Sequence, residues 1–343
     1  MELEKGRLAM LGLTREALKS VLPLYALSIL MLSFIPLTGN DYLVHLMILA
    51  YIYMIVASGL DILVGYTGAL NLGQAGFFAI GAYTSTLLSM KANVSPWLGL
   101  ILGGLLASVL GLVLGIPSLR LRGPYLAIST LGFGVIVYIL LINLEEITRG
   151  PLGIPGIPAL PSIGPLNFAN RGIYYYFAMV LSLTCILALK LLSISRFGRV
   201  LVAIREDEDA AKAIGVNIAF YRLAAFMVSS FFAGLAGALY AHYVRYINPD
   251  LSALGESISI LTMTLLGGFG TVVGPAIGAV ILILIAELLR PLLEYRFLIY
   301  GALIMLIVRF LPGGLYSIIE KYLPTHLGTY LRRGLYGRGV KSR

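Results

Sequence analysis

The sequence predicts an all-α polytopic membrane protein of about ten transmembrane spans, some of them broken by glycine, and three observations carry that reading. Hydrophobic residues make up 59% of the 343 and charged residues 12%, with a mean hydropathy of +0.93, whereas a soluble globular chain carries roughly 25% charge. Residues 20–40, 42–60, 62–90, 92–119, 123–144, 172–189, 223–244 and 257–286 each lack Asp, Glu, Lys and Arg, and about 20 apolar residues cross the hydrocarbon core as a helix. The basic residues also fall unevenly on the two sides that such spans define.

Taken in order, spans are expected at 18–37, 42–62, 75–90, 97–116, 126–144, 173–192, 223–246, 258–270, 274–291 and 296–312. Segment 1–19 mixes acids and bases, and the apolar stretch after it lacks a clear small-residue cleavage site, so it reads as an amino-terminal cytoplasmic segment before an uncleaved first span. The transmembrane domain is expected over 20–318, with an inner loop 193–222 and an outer proline-rich loop 145–172, followed by a basic cytoplasmic tail, 319–343. With the amino terminus inside, 19 of the 25 Lys and Arg residues lie on the inner side, and Lys91, Arg149, Arg171, Arg245, Arg290 and Arg296 lie outside. That bias predicts both termini in the cytoplasm of a cell-membrane protein.

The same composition removes several functions. The net charge of +9 is spread through loops and follows topology rather than forming a basic face, so no nucleic-acid partner is expected; membrane lipid is. Cys185 is the sole cysteine and His45, His242 and His326 have no ligand spacing, so no metal site is expected. No Gly-x-x-x-x-Gly-Lys-Ser/Thr loop occurs and no nucleophile, base and orienting group are assembled, which argues against an enzyme.

Glycine, at 39 residues, clusters inside spans. Gly65, Gly68, Gly73 and Gly76 interrupt one region, and Gly267, Gly268, Gly270 and Gly274 another. Ala79-Ile-Gly-Ala82 recurs as Ala276-Ile-Gly-Ala279 and places Gly73 on Gly270, which is either an internal duplication or chance identity in an apolar chain. Gly234, Gly237 and Ala233 have the spacing of a close helix crossing. Backbone broken at membrane depth is tolerated only where protein or water covers it. Thr67, Asn71, Gly73 and Gln74 therefore read either as a pathway for a small polar solute or as ties between neighbouring helices.

The interior exception is the charged stretch from Arg196 to Arg222. Glu206 to Asp209 supply four acids where a short helix would begin, and Gly215 stands where it would stop. Ala210 and Ala211 give that helix small side chains that another protein's groove could receive.

Six segments, over about 42–317, resemble those of LivM-type permease subunits of branched-chain amino-acid ABC importers. They begin at Asn71-Leu-Gly-Gln-Ala-Gly, Arg120-Leu-Arg-Gly-Pro-Tyr, Thr148-Arg-Gly-Pro-Leu-Gly, Arg205-Glu-Asp-Glu-Asp-Ala-Ala, Ala233-Gly-Leu-Ala-Gly and Leu266-Gly-Gly-Phe-Gly. The resemblance implies an ATPase-coupling segment of the form Glu-Ala-Ala-x-x-x-Gly. Here it reads Asp209-Ala210-Ala211-Lys-Ala-Ile-Gly215, with Arg205 and Glu206 before it. It further implies two separate ATPase subunits holding the ATP and Mg, no cofactor on this chain, a second homologous permease subunit and an extracytoplasmic solute-binding protein. Departures at Val135, where relatives often have an acid, and at Leu152, where many have Asn, leave urea or amides open as solutes. A self-sufficient secondary transporter or channel is the alternative class.

Overall fold

A computed structural model describes residues 36, 39–121, 123–288, 296–310 and 313–317. Segment 1–19, the expected span 18–37 apart from residue 36, and the tail 319–343 lie outside them. The remaining nine expected spans each coincide with a helix: α1 (Asp41–Thr67), α2 (Gln74–Lys91), α3 (Pro96–Ser118), α4 (Pro124–Asn143), α6 (Arg171–Ile194), α9 (Ile218–Val244), α10 (Leu254–Gly267), α11 (Val273–Leu288) and α12 (Arg296–Phe310). A four-residue α5 (Glu145–Thr148) follows α4, and α7 (Arg196–Glu206) and α8 (Glu208–Ala213) make up the charged stretch.

α1 is apolar on every side and becomes the central helix, as that pattern requires. Asn40 caps its start by accepting from the Tyr42 and Leu43 amides, and Gly68 ends it in the left-handed region at φ 71°. Its most apolar window is 89% buried, against 33% for α4, so α1 is core and α4 is rim. α9, α6, α11 and α10 pack around it, while α2 and α3 pack on α9. The outer face of α3 presents Leu98, Ile101, Leu105, Val109 and Val113, an apolar stripe suited to hydrocarbon.

Side-chain pairs define the two ends. Asp41 with Arg171, Tyr42 with Glu287 and His45 with Tyr243 gather one end, whereas Gly65, Arg205 and Gly270 meet at the other. Lys91, Arg149, Arg171 and Arg245 thus share the far end and Arg196, Arg199, Arg205, Lys212 and Arg222 the island end, as the span order requires.

The proline-rich stretch is a folded cover at the far end rather than a bare connector. Ile154 and Pro155 (β1) pair antiparallel with Ile247 and Tyr246 (β2), the two-stranded exception to the helical pattern among the described residues. Ile157, Leu160 and Phe168 are buried beneath it, and the Trp97 indole donates to Pro161 O.

Small residues set the closest helix crossing. Gly81 of α2, Gly103 of α3 and Gly234 of α9 meet backbone to backbone, and Gly237 lies against the Phe78 carbonyl. A Cβ at Gly234 would stand 2.5 Å from the Ala107 Cβ and 2.7 Å from Gly103 O. Gly234→Val is therefore expected to destabilise the bundle by about 1–3 kcal/mol or more, read as a lower unfolding temperature in detergent, while Val113→Ala on the outer face leaves it nearly unchanged.

Candidate functional site

Two connections, one after α1 and one after α10, interrupt the helical pattern, and polar side chains satisfy both interruptions. After α1, residues 68–73 turn back into the bundle before α2 begins. The Thr67 hydroxyl accepts from Ala69 N at 3.2 Å, Thr130 of α4 accepts from Leu72 N at 3.0 Å, and Asn71 Oδ1 accepts from Gly73 N at 2.9 Å. Asn71 Nδ2 donates to Gln74 Oε1 at 2.9 Å. Gln74 Nε2 donates to Ser229 O and the Ser229 hydroxyl donates back to Oε1, both at 3.3 Å, while Ser257 of α10 receives Ala75 N. Thr67, Asn71 and Gln74 are at most 4% exposed. The structure thus brings these four expected residues together, with the Asn71 and Gln74 amides engaged within the fold, joining α2 to α4, α9 and α10.

The second interruption, 268–272, lies between α10 and α11 at the island end. Gly268 and Gly270 have φ of 112° and 76°, and Val272 joins them at 62°. The fully buried Asp61 of α1 accepts from Gly270 N at 2.7 Å and Val272 N at 2.9 Å. Ser58 donates to Val272 O at 2.9 Å, and the Lys190 ammonium donates to Thr271 O at 3.4 Å. A carboxylate thus takes two amides of the turn before α11, and α1 and α6 together supply donors for its carbonyls.

The charged stretch sits directly beneath both interruptions. Arg205, at the end of α7, sends Nη1 to Gly65 O at 2.5 Å, pairs with Glu206 at 2.9 Å, and lays its methylenes against Gly68. The same guanidinium comes close to Gly270. Asp207, rather than Glu206, caps the next helix by accepting from Asp209 N and Ala210 N, both at 3.0 Å, so the expected run of four acids is split by the cap. Gly215 ends α8 at φ +84°, its amide on Lys212 O and the Val216 amide on Ala211 O, a glycine-terminated C-cap.

Of the expected contact residues, Asp209, Ala210, Gly215 and Glu206 are exposed. Ala211 is 3% exposed and packs inward against Ile204 and Ile218, holding α8 to α7 and α9. Glu208 bridges to Arg222 of α9 at 3.0 Å and to Lys212 at 3.5 Å. A cavity of about 240 Å³ opens beside this pair, lined by Thr67, Ser118, Leu121, Arg205, Glu208 and Arg222 among others. Sequence reasoning missed the apolar tip: Ile214 is 78% and Phe220 61% exposed. Both are apolar side chains within a charged stretch, a contrast that is visible in the sequence.

It also missed Glu256. This acid lies in the first turn of α10, partly exposed, and accepts from the Tyr53 hydroxyl near the midpoint of the 27-residue α1. A carboxylate at the helix start gains roughly 0.3–1 kcal/mol from the dipole, less than the roughly 2.5–3.5 kcal/mol that a charge costs at the centre of a membrane helix.

A family model described as branched-chain amino acid transport system / permease component matches residues 42–308. The high-affinity branched-chain amino acid transport system permease protein LivM of Escherichia coli K12 is 38% identical over 298 residues, 80% of this chain and 70% of that protein. A probable LivM of Methanocaldococcus jannaschii is 28% identical over 77% of the chain and 90% of its own length. The permease protein LivH of the same Escherichia coli strain is 26% identical, with the same two coverages. No solved structure matches.

Asp61→Asn tests the second interruption. The amide would turn an N–H toward one of the two backbone amides that the carboxylate now receives, so the loss is a charge-assisted bond plus an unmatched donor, about 2–3 kcal/mol. The expected result is a lower unfolding temperature together with earlier proteolysis at 268–272; an unchanged profile would mean that the carboxylate does not hold this turn.

Proposed function

Because the chain belongs to the family of permease components of branched-chain amino acid transport systems, we propose that it carries branched-chain or related amino acids across the cell membrane and is driven by ATPase subunits docked on its island end. It is a multi-pass permease subunit of an importer. Docking through the island rests above all on one observation. The exposed residues Asp209, Ala210 and Gly215, beside the bare side chains of Ile214 and Phe220, sit on a short capped helix whose neighbour, α7, reaches both interrupted segments through Arg205.

In this reading ATP and Mg belong to two partner ATPases, and this chain holds no cofactor. The island end faces the cytoplasm, supported by its basic residues. A second, homologous permease subunit stands beside this chain, a proposal supported by its likeness to both LivM and LivH. The far end, with its proline-rich cover, receives an extracytoplasmic binding protein. Segment 68–73, with Thr67, Asn71, Gly73 and Gln74, bears on the pathway by fixing where α2 starts beside α4.

When the ATPases move, α8 transmits the displacement through two rigid links. Glu208–Arg222 ties α8 to α9, and Arg205–Gly65 ties α7 to the end of α1. Arg205 makes a forked contact that a lysine ammonium cannot reproduce.

Two substitutions test the docking. Gly215→Pro forces φ from +84° to about −65°, and Ile214→Asp puts a charge on the exposed tip. Both are expected to leave the chain in the membrane and to cut ATP-driven uptake about tenfold or more, with Ile214→Asp also releasing the ATPase on purification. Arg205→Lys is expected to retain ATPase binding and lose most of the transport per ATP hydrolysed. Normal uptake by both island variants, or gradient-driven flux by the chain alone in liposomes, would overturn the reading.

A further inference from the structure

The far end of the bundle holds a cavity of about 370 Å³ against the proline-rich cover. His45 of α1, Arg171 and Tyr174 of α6, and His242, Tyr243 and Arg245 at the end of α9 line it, with Phe168 of the cover. That volume lies within the roughly 300–1,000 Å³ of small-molecule pockets.

The lining divides into side chains that the fold has engaged and side chains that it has not. His242 is held at both ring nitrogens, with Nδ1 2.7 Å from Pro158 O and Nε2 2.7 Å from Ser85 Oγ. The Tyr174 hydroxyl donates to Leu239 O at 2.8 Å. Tyr174 and Tyr243 lie ring to ring at 4.9 Å, and Tyr243 stacks on His45 at 5.5 Å, so these residues form a fixed aromatic wall. Arg245 donates through Nε to Ile157 O at 3.2 Å, which anchors the guanidinium and leaves its two Nη groups without a protein partner among the described residues. His45 meets the Tyr243 hydroxyl through Nδ1 at 2.7 Å, and its Nε2 has no such partner among the described residues. Arg171 reaches Asp41 at 3.9 Å between two exposed side chains, a contact worth little. Its charge acts on both His45 and Tyr243.

The cavity is therefore positive. No carboxylate is among the described residues that line it. α6 starts beside it and α9 ends beside it, so the two helix dipoles oppose each other and the side chains set the sign. Basic residues are sparse on this side, where six of the 25 Lys and Arg are expected, and two of those six meet in this one cavity. Two guanidiniums lining one space repel each other, and an anion between them offsets that repulsion. The guanidinium fork matches a carboxylate, which it can take with two parallel hydrogen bonds.

We propose that this cavity is an outer reception site for the incoming amino acid. Arg171, Arg245 and His45 bind the carboxylate, and the rings of Tyr174, Tyr243 and Phe168 receive the apolar side chain. The proposal rests on the importer reading above and adds to it the group that recognises the solute before it enters the bundle.

The test uses the permease–ATPase complex purified without the solute-binding protein, which would itself bind leucine. Labelled leucine is competed with 4-methylpentanoate, which lacks the amino group, with leucinamide, in which a neutral amide replaces the carboxylate, and with inorganic phosphate. 4-Methylpentanoate is expected to compete, and leucinamide to do so at least about tenfold more weakly. Arg171→Gln, which removes no bond to a backbone carbonyl, and Arg245→Gln are each expected to weaken leucine binding about tenfold, the loss of one charge-assisted pair. Arg245→Lys is expected to fall in between. Absence of leucine binding, equal competition by leucinamide, or wild-type binding in either glutamine variant would overturn the site. Competition by phosphate alone would overturn it too, by making the cavity a site for phosphate or a lipid headgroup. If the complete wild-type importer moves no leucine or other amino acid at all, it is the importer reading that fails.

Discussion

The carboxylate of Asp61, caught between the amides of Gly270 and Val272, is the interaction on which the island end depends. Inside a membrane an interrupted helix exposes amides and carbonyls that no water satisfies, and each unsatisfied group costs several kcal/mol. A chain can interrupt helices there only if it brings its own partners. This one brings Asp61, Ser58 and Lys190 to the second interruption and Thr67, Asn71, Thr130 and Ser257 to the first. Three of those partners, Ser58, Asp61 and Thr67, come from α1, which explains why that helix is central: it supplies polar atoms that make the breaks tolerable.

The charges also match the ends of the helices they meet. Asp61 binds the amides of Gly270 and Val272, just before the start of α11, and Arg205 binds a carbonyl in the last turn of α1. An anion at a helix start and a cation at a helix end are each favourable to the dipole. Because Arg205 belongs to α7 and reaches Gly65 while lying close to Gly270, the soluble-looking island is in register with both interruptions. The island is thus tied to the helix ends themselves rather than joined by a slack connection, and the partly buried Glu208–Arg222 pair ties it to α9 as well.

Most of this architecture was legible because a bilayer leaves few solutions. Charge-free runs marked α1 to α4, α6 and α9 to α11, and the capping residues Asn40, Gly68, Asn170 and Asn217 lie near their starts and ends. The spacing of Gly234 and Gly237 foretold a close crossing, and Gly81 and Gly103 complete it. Direction within the island was not legible: Ala210 and Ala211 look alike in sequence, and only packing against Ile204 and Ile218 turns one inward and leaves the other out. The two-residue ribbon over the far end pairs residues 154–155 with 246–247, a long-range pairing that no local pattern announces.

Glu256 escaped for a different reason. Reading charge-free runs treats each charged residue as a boundary and so places it at the surface by construction. That holds when every span is a full crossing. α10 is a partial one, entered from a turn already inside the bundle, so its first-turn acid falls at the depth of Tyr53 rather than at the interface. Asp61 shows the same failure in milder form, as it stood at a span's inner end in sequence and is fully buried in the fold. In a chain with interrupted helices, the acids that bound a charge-free run are the residues whose depth most needs to be established from packing, because the interruptions that mislead the count are also what bring backbone and charge to the middle of the membrane.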